Sequence, residues 1–327
     1  MSNRGQFQIV TMAKSATITG TTSAPDEPSN FDTRGSVNGL HILNLLAYVI
    51  NLAVTYLIGV VGILGQPTNQ DLSLKYQTLV TPIGWSFSIW GVIFLAQLVW
   101  AIYQMASRGI LRNSLFVTAI GRNYALVVLF QVIWTVSFSY EIMWLSIMSI
   151  SLLLVCLWNI VDGLERIIRK NNTQVTWIEY ILWFFPFTIH CGWITVATVL
   201  NYNVILVSAE QEYGIQYYAA VFTEIILVGA AMTWLLRDTP EYVIPLVLAW
   251  AGVGIYFELA DPVDAIADNF EDTAIRNVKN GAILVTGFVM VGCIVRNLIT
   301  LCCLSAKQKT PEEEKVEEGA NYTRAEF

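Results

Sequence analysis

Eight stretches of this chain are each long and apolar enough to reach across a lipid bilayer, and that repetition limits the fold more than any other feature. A helix rising 1.5 Å per residue needs about 20 apolar residues to cross a hydrocarbon core of about 30 Å. The stretches are 41–64, 82–105, 123–140, 142–161, 179–206, 215–236, 243–260 and 281–304. Within lipid every backbone amide must be paired inside the protein, and helices satisfy that locally. Composition agrees, since 55% of the 327 residues are hydrophobic and 13% charged, about half the charged share of a soluble domain. The expected fold is an all-α polytopic membrane protein with eight transmembrane helices.

The third and fourth stretches are nearly continuous. One helix over 123–161 would run roughly 58 Å, about twice the hydrocarbon core, so Glu141 is expected at a tight hairpin. Basic residues give a second check, because cytoplasmic loops of membrane proteins accumulate Lys and Arg. With the N-terminus inside, fourteen of the 18 basic residues fall on that side: Arg4, Lys14, Arg34, Arg108, Arg112, Arg122, Arg166, Arg169, Lys170, Arg237, Lys307, Lys309, Lys315 and Arg324. Lys75, Arg276 and Lys279 fall outside, and Arg296 lies within the last stretch. Both termini are therefore expected on the cytoplasmic side of a membrane that the sequence does not name.

Several function classes find no support. The net charge of -7 and the absence of a Lys/Arg-rich patch argue against nucleic acid as a partner. Cys156, Cys191, Cys293, Cys302 and Cys303 lie in apolar segments without metal-ligand spacing, so neither a metal nor a disulfide framework is expected. No nucleophile–base grouping, phosphate loop or HExxH appears, and the expectation is a protein that is not an enzyme and carries no cofactor. Residues 1–38 hold no short apolar signal region; they and the acidic stretch 306–327 read as disordered tails. The sequons at Asn171 and Asn321 fall on the cytoplasmic side, where neither would be glycosylated. The loop 261–272, with Asp261, Asp264, Asp268, Glu271 and Asp272, either gathers cations or is simply solvated.

The second stretch opens with TPIGWSFSIWGVIF, Thr81 to Phe94. Trp90 and Phe94 are i, i+4 neighbours on a helix and Phe87 joins their face, while Pro82 suits a helix start. By itself this is either an interfacial aromatic belt or a pocket wall. The segment resembles the second helix of the TspO/MBR family, the tryptophan-rich sensory proteins related to the translocator protein, whose pattern reads approximately P-P-x-W-x-F-x-x-x-W-x-x-L-Y. Trp85 and Trp90 match its two Trp one residue closer together, and Phe94 replaces the terminal Tyr. The family's N-x-x-W of the third helix is met by Gln131 and Trp134. Its P-Y-x-x-W-x-x-x-A-x-x-L-N of the fifth is met by Trp193, Ala197, Leu200 and Asn201, with Pro186 and Phe187 set farther ahead.

That resemblance covers 41–206. It implies a five-helix membrane core over 39–208 enclosing a pocket for apolar ligands, followed by three additional helices over 209–305. Trp85, Trp90, Phe94, Gln131, Trp134, Trp193, Ala197 and Asn201 are the ligand-binding candidates it suggests, and His190 joins them by its place three residues before Trp193. Trp193, Ala197 and Asn201 share one helical face, which makes either a small-molecule site or a close helix contact. The implied ligand is a tetrapyrrole or another lipophilic molecule that the protein senses or transports. The bilayer, and a second copy of the chain as a homodimer, complete the expected partners. The sterol-contact pattern used in the family after its fifth helix is absent, since no Lys or Arg follows Tyr202 before Tyr218.

Ionisable residues at membrane depth mark functional sites by default. His190 and Glu224 are the deep ones, and an alternative reading makes them the coupling pair of a proton-coupled transporter. Each equally suits a neutral group bonded to a neighbouring helix. Glu258, Asp162 and Arg296 sit nearer helix ends, where snorkelling accounts for them. Cys302 and Cys303 allow palmitoylation or are inert apolar thiols. A retinal Schiff base would need a deep Lys in the last helix, and none is present.

Overall fold

The computed structural model describes residues 33–106, 111–170 and 175–324, with side chains over 39–106, 114–170 and 175–302. Asn171, the side chains of Cys303 and Asn321, residues 1–32 and several of the counted basic residues lie outside that description. All regular structure among the described residues is helical.

Helix α1 (Thr33–Val54) runs into a π-helical turn, Thr55–Val60. A short helix, α2 (Asn69–Lys75), follows in the polar loop, started by a reciprocal cap in which Thr68 Oγ1 accepts from Asp71 N and Asp71 accepts from Thr68 N. A 3₁₀ turn at Gly84–Ser88 leads into α3 (Ile89–Ala106). Next come α4 (Leu111–Ile120) and α5 (Asn123–Ser139), bent by 41°. Gly121 at the bend holds φ +53°, a region that a Cβ disfavours.

Helix α5 turns back into α6 (Met143–Lys170) through the expected hairpin. Glu141 occupies it with φ +57°, and Ile142 N donates to Ser137 O at 2.8 Å. The short α7 (Trp177–Glu179) and a π turn at Tyr180–Phe184 precede α8 (Phe185–Ser208), with Pro186 in its first turn. The chain closes with α9 (Tyr213–Leu235), α10 (Val243–Glu258), α11 (Asp264–Ala267) and α12 (Asp272–Arg324). The backbone of α12 continues past its apolar part into the stretch expected to be a tail.

Each of the eight apolar stretches is helical, but by length and composition six helices can cross a membrane and the bent α4–α5 pair makes up to seven. With 16 residues, α10 is roughly 24 Å long and falls short of the usual span. It nonetheless connects the two ends of the bundle, as the loop contacts show. At one end Lys75 meets Glu141, Gln77 meets Glu258 and Tyr213 meets Asn269. At the other, Arg237 meets Asp162 and Glu165, and Tyr180 meets Glu241. Loops expected on one side of the membrane thus pair with one another.

The interior does not divide at residue 208. One apolar cluster joins α1, α3, α5, α6 and α8. A second runs from Ile89 and Ile93 of α3 and Trp193 and Val196 of α8 to Leu227 of α9, Leu248 of α10 and Val289 of α12. The last three helices are packed into the core of the first five.

Candidate functional site

A cavity of about 540 Å³ lies where the π turn after α1, the helix α2, the 3₁₀ turn and α3 come together. Its floor and walls are Phe87, Trp90, Gly91 and Phe94, with Leu52, Tyr56, Gly59 and Val60 opposite. A π turn widens the helical bore, and such turns recur at functional sites. Trp90 stacks on Phe94 at a ring separation of 5.8 Å. The rim toward the loop end is polar: Thr68, Asn69, Gln70, Ser73, Gln77 and Glu258. The volume is that of ordinary small-molecule sites.

Asn69, Ser73, Thr81, Phe87 and Trp90 also line a narrower chamber of about 60 Å³ reaching deeper between α5 and α8. Its other walls are Trp134, Phe138, Trp193, Ala197, Leu200 and Asn201. Phe87 meets Trp193 edge to face at 5.5 Å, and Trp134 stacks on Phe138 at 5.5 Å. The three sequence motifs therefore converge on adjoining spaces. They also touch directly: Trp134 Nε1 donates to Asn201 Oδ1 at 3.3 Å, and Ser146 Oγ donates to the same oxygen at 2.8 Å. Asn201 Nδ2 donates in turn to Ala197 O at 3.0 Å. Asn201 is thus the polar tie of α5, α6 and α8, and its amide is engaged by protein groups.

The family model described as TSPO-like protein matches residues 41–295. The chain belongs to the TSPO-like family. No curated protein and no solved structure matches it. The match extends beyond the five helices that the motifs reach, taking in α9, α10 and much of α12. Together with the apolar helices it makes this TSPO-like chain an integral, multi-pass membrane protein.

Three candidates of this TSPO-like protein stand apart from the cavities. Trp85 packs outward, 4.7 Å from Trp250 and 6.3 Å from Phe257, and is 41% exposed. The 3₁₀ turn over 84–88 advances about 120° per residue where an α-helix advances about 100°, which carries Trp85 off the face of Trp90. Gln131 and His190 are fully buried in an amide chain: Tyr124 Oη donates to Gln97 Oε1, Gln97 Nε2 meets His190 Nδ1 at 3.0 Å, and His190 Nε2 meets Gln131 Oε1 at 3.2 Å. Trp90 touches the His190 ring edge-on at 5.8 Å, so His190 backs the cavity wall without forming it.

His190 and Glu224, the coupling pair of the alternative reading, do not bond each other. Both imidazole nitrogens are engaged by amides, and Glu224 lies on α9 with its carboxylate where a Cβ of Gly281 on α12 would stand.

Residues that sequence spacing did not select complete the site. Phe87 carried a signal, its place on the Trp90 face. Glu258 read as a snorkelling helix end, yet α10 brings it to the cavity rim. Trp250, Gly254 and Glu258 share one face at i, i+4, i+8. That face lies along the 3₁₀ turn: Trp250 Nε1 donates to Ser86 O at 3.0 Å and Ile83 N donates to Gly254 O at 3.1 Å. A Cβ on Gly254 would run into Ser86 Oγ and come 2.9 Å from the Pro82 ring. The missing side chain is what lets α10 lie close enough for Glu258 to reach the cavity.

Proposed function

We propose that this protein takes a lipophilic small molecule, of tetrapyrrole size or smaller, into the aromatic cavity between α1, α2 and α3, as a binding, sensing or transport protein without catalysis. The supporting observation is that a 540 Å³ aromatic space shares Asn69, Ser73, Thr81, Phe87 and Trp90 with the chamber lined by the family motifs. Leu52, Tyr56 and Val60 on its wall are exposed on the apolar outside of the bundle, which suits delivery from the membrane. Binding would come from apolar area removed from water, about 25 cal/mol per Å², and from offset stacking on Trp90 and Phe94. In this reading both termini face the cytoplasm, and α2 covers the mouth.

The test is tryptophan quenching in the purified protein by protoporphyrin dimethyl ester, an uncharged flat probe. Saturable quenching that weakens about tenfold in Trp90→Ala, and is unchanged in Trp85→Ala, is expected. Equal quenching by wild type and Trp90→Ala would remove the cavity as the site.

A further inference from the structure

Resting on that reading of the cavity, we infer that its occupant carries a positive charge: a lipophilic amine or another amphiphilic cation. Among the described residues that line the cavity Glu258 is the charged one, and no Lys, Arg or His stands with it. One oxygen of Glu258 accepts from Gln77 Nε2 at 2.8 Å; the other has no partner among the described residues. At the junction of the two spaces, the buried Oδ1 of Asn69 is a second acceptor without a partner among the described residues.

Trp90, Phe87 and Phe94 line the same cavity, and an aromatic ring attracts a cation placed over its face. An aromatic box closed by a carboxylate is the arrangement that favours an organic cation over an anion of the same shape. The nearest basic side chain of the covering helix, Lys75, is spent on Glu141 at 2.5 Å. Immediately beyond Glu258 the chain becomes acidic, with Asp261, Asp264 and Asp268. Such a field raises the local concentration of cations at the mouth and repels anions.

The chemistry also weighs against an occupant bearing free carboxylates, because its acid groups would face Glu258 with no guanidinium or ammonium to receive them. The cation preference therefore belongs to a residue of α10, outside the segment that carries the family motifs.

The test uses two ions of one shape, tetraphenylphosphonium and tetraphenylborate, titrated against tryptophan fluorescence of the full chain in detergent. The wild type is expected to bind the cation at least about tenfold more tightly than the anion. Glu258→Gln should erase that ratio, Glu258→Asp should keep most of it, and Trp90→Ala should weaken both ions. A ratio unchanged by Glu258→Gln, with both ions still weakened by Trp90→Ala, overturns the charge preference and leaves the cavity in place. Binding of both ions that ignores Trp90→Ala, or no saturable binding of either, overturns the cavity itself. Circular dichroism melts matching the wild type establish that each variant is folded, and Glu258→Asp supplies the charged control if Glu258→Gln melts early.

Discussion

The two ends of the helical bundle are fastened by different chemistry. At the cavity end, exposed Lys75 of α2 and the adjoining Tyr76 bond Glu141, and buried Gln77 bonds Glu258. At the other end Arg237 bonds Asp162 at 2.6 Å and Glu165 at 2.8 Å while its guanidinium lies 3.8 Å from the centre of the Trp234 ring. Arg296 donates to Leu235 O and Arg237 O, holding the end of α9. Nearby, Tyr180 Oη lies 2.8 and 2.9 Å from the two oxygens of buried Glu241, and Val243 N donates to one of them. Exposed ion pairs contribute little and exchange easily, whereas shielded ones are costly to break. The ion pair that holds α2 is thus the more easily exchanged, and the Arg237 cluster the more costly to break.

That contrast can be broken experimentally, and the largest effect is expected at Glu241. Burial pushes its carboxyl up to about 7 against the usual carboxylate range, with the Tyr180 hydrogen bond opposing. A raised folded value means the folded state holds the proton more tightly than the unfolded one. The stability it contributes is therefore complete below about pH 4.5 and fades as pH rises through about 7, a change of about 3 kcal/mol. Thermal melts from pH 4 to 8 should show this decline, and Glu241→Gln should flatten it. An unchanged slope in that variant would assign the pH dependence elsewhere.

Arg237→Ala comes next, leaving Glu165 without its ion-pair partner and Asp162 with Arg166 alone, at 3.7 Å. Because these groups are still partly in contact with solvent, the loss should be about 2 kcal/mol rather than the full cost of a buried pair. A melt within error of wild type would show that this end is not clamped by the cluster. Gly254→Ala, at the cavity end, should cost about 1–2 kcal/mol by overpacking against Ser86 and Pro82. It should also weaken the cation-to-anion preference by displacing Glu258. The smallest effect belongs to Glu141→Gln, expected to change stability by less than about 1 kcal/mol while speeding amide exchange over 69–76. Slower or unchanged exchange there would mean that Glu141 does not hold α2.

Sequence periodicity located the eight helical segments, the Glu141 hairpin and the grouping of loops by side, because apolar length and charge placement are local properties. The meeting of Trp134 with Trp193, Ala197 and Asn201 was also legible, since these positions repeat a family pattern on two helices. Trp85 was not, because a lipid-facing Trp and a cavity Trp look alike until the 3₁₀ turn sets their angle. Depth made His190 and Glu224 seem a pair, but depth does not say which helical faces meet, and here different neighbours receive them. Glu258 was invisible as a site residue for the same reason. Its role depends on Gly254 approaching a turn some 170 positions earlier in the chain, a contact that no spacing rule carries.

The apolar cluster that binds α3 and α8 to α9, α10 and α12 has a consequence for biogenesis. Ile89, Ile93, Trp193 and Val196, on helices made before α9, α10 and α12, gain that part of their cover only when those helices join them. The cavity rim acquires Glu258 in the same event. Completion of the core and completion of the site are then a single late step, and a chain released before α10 would hold an aromatic cleft with neither its carboxylate nor its shape.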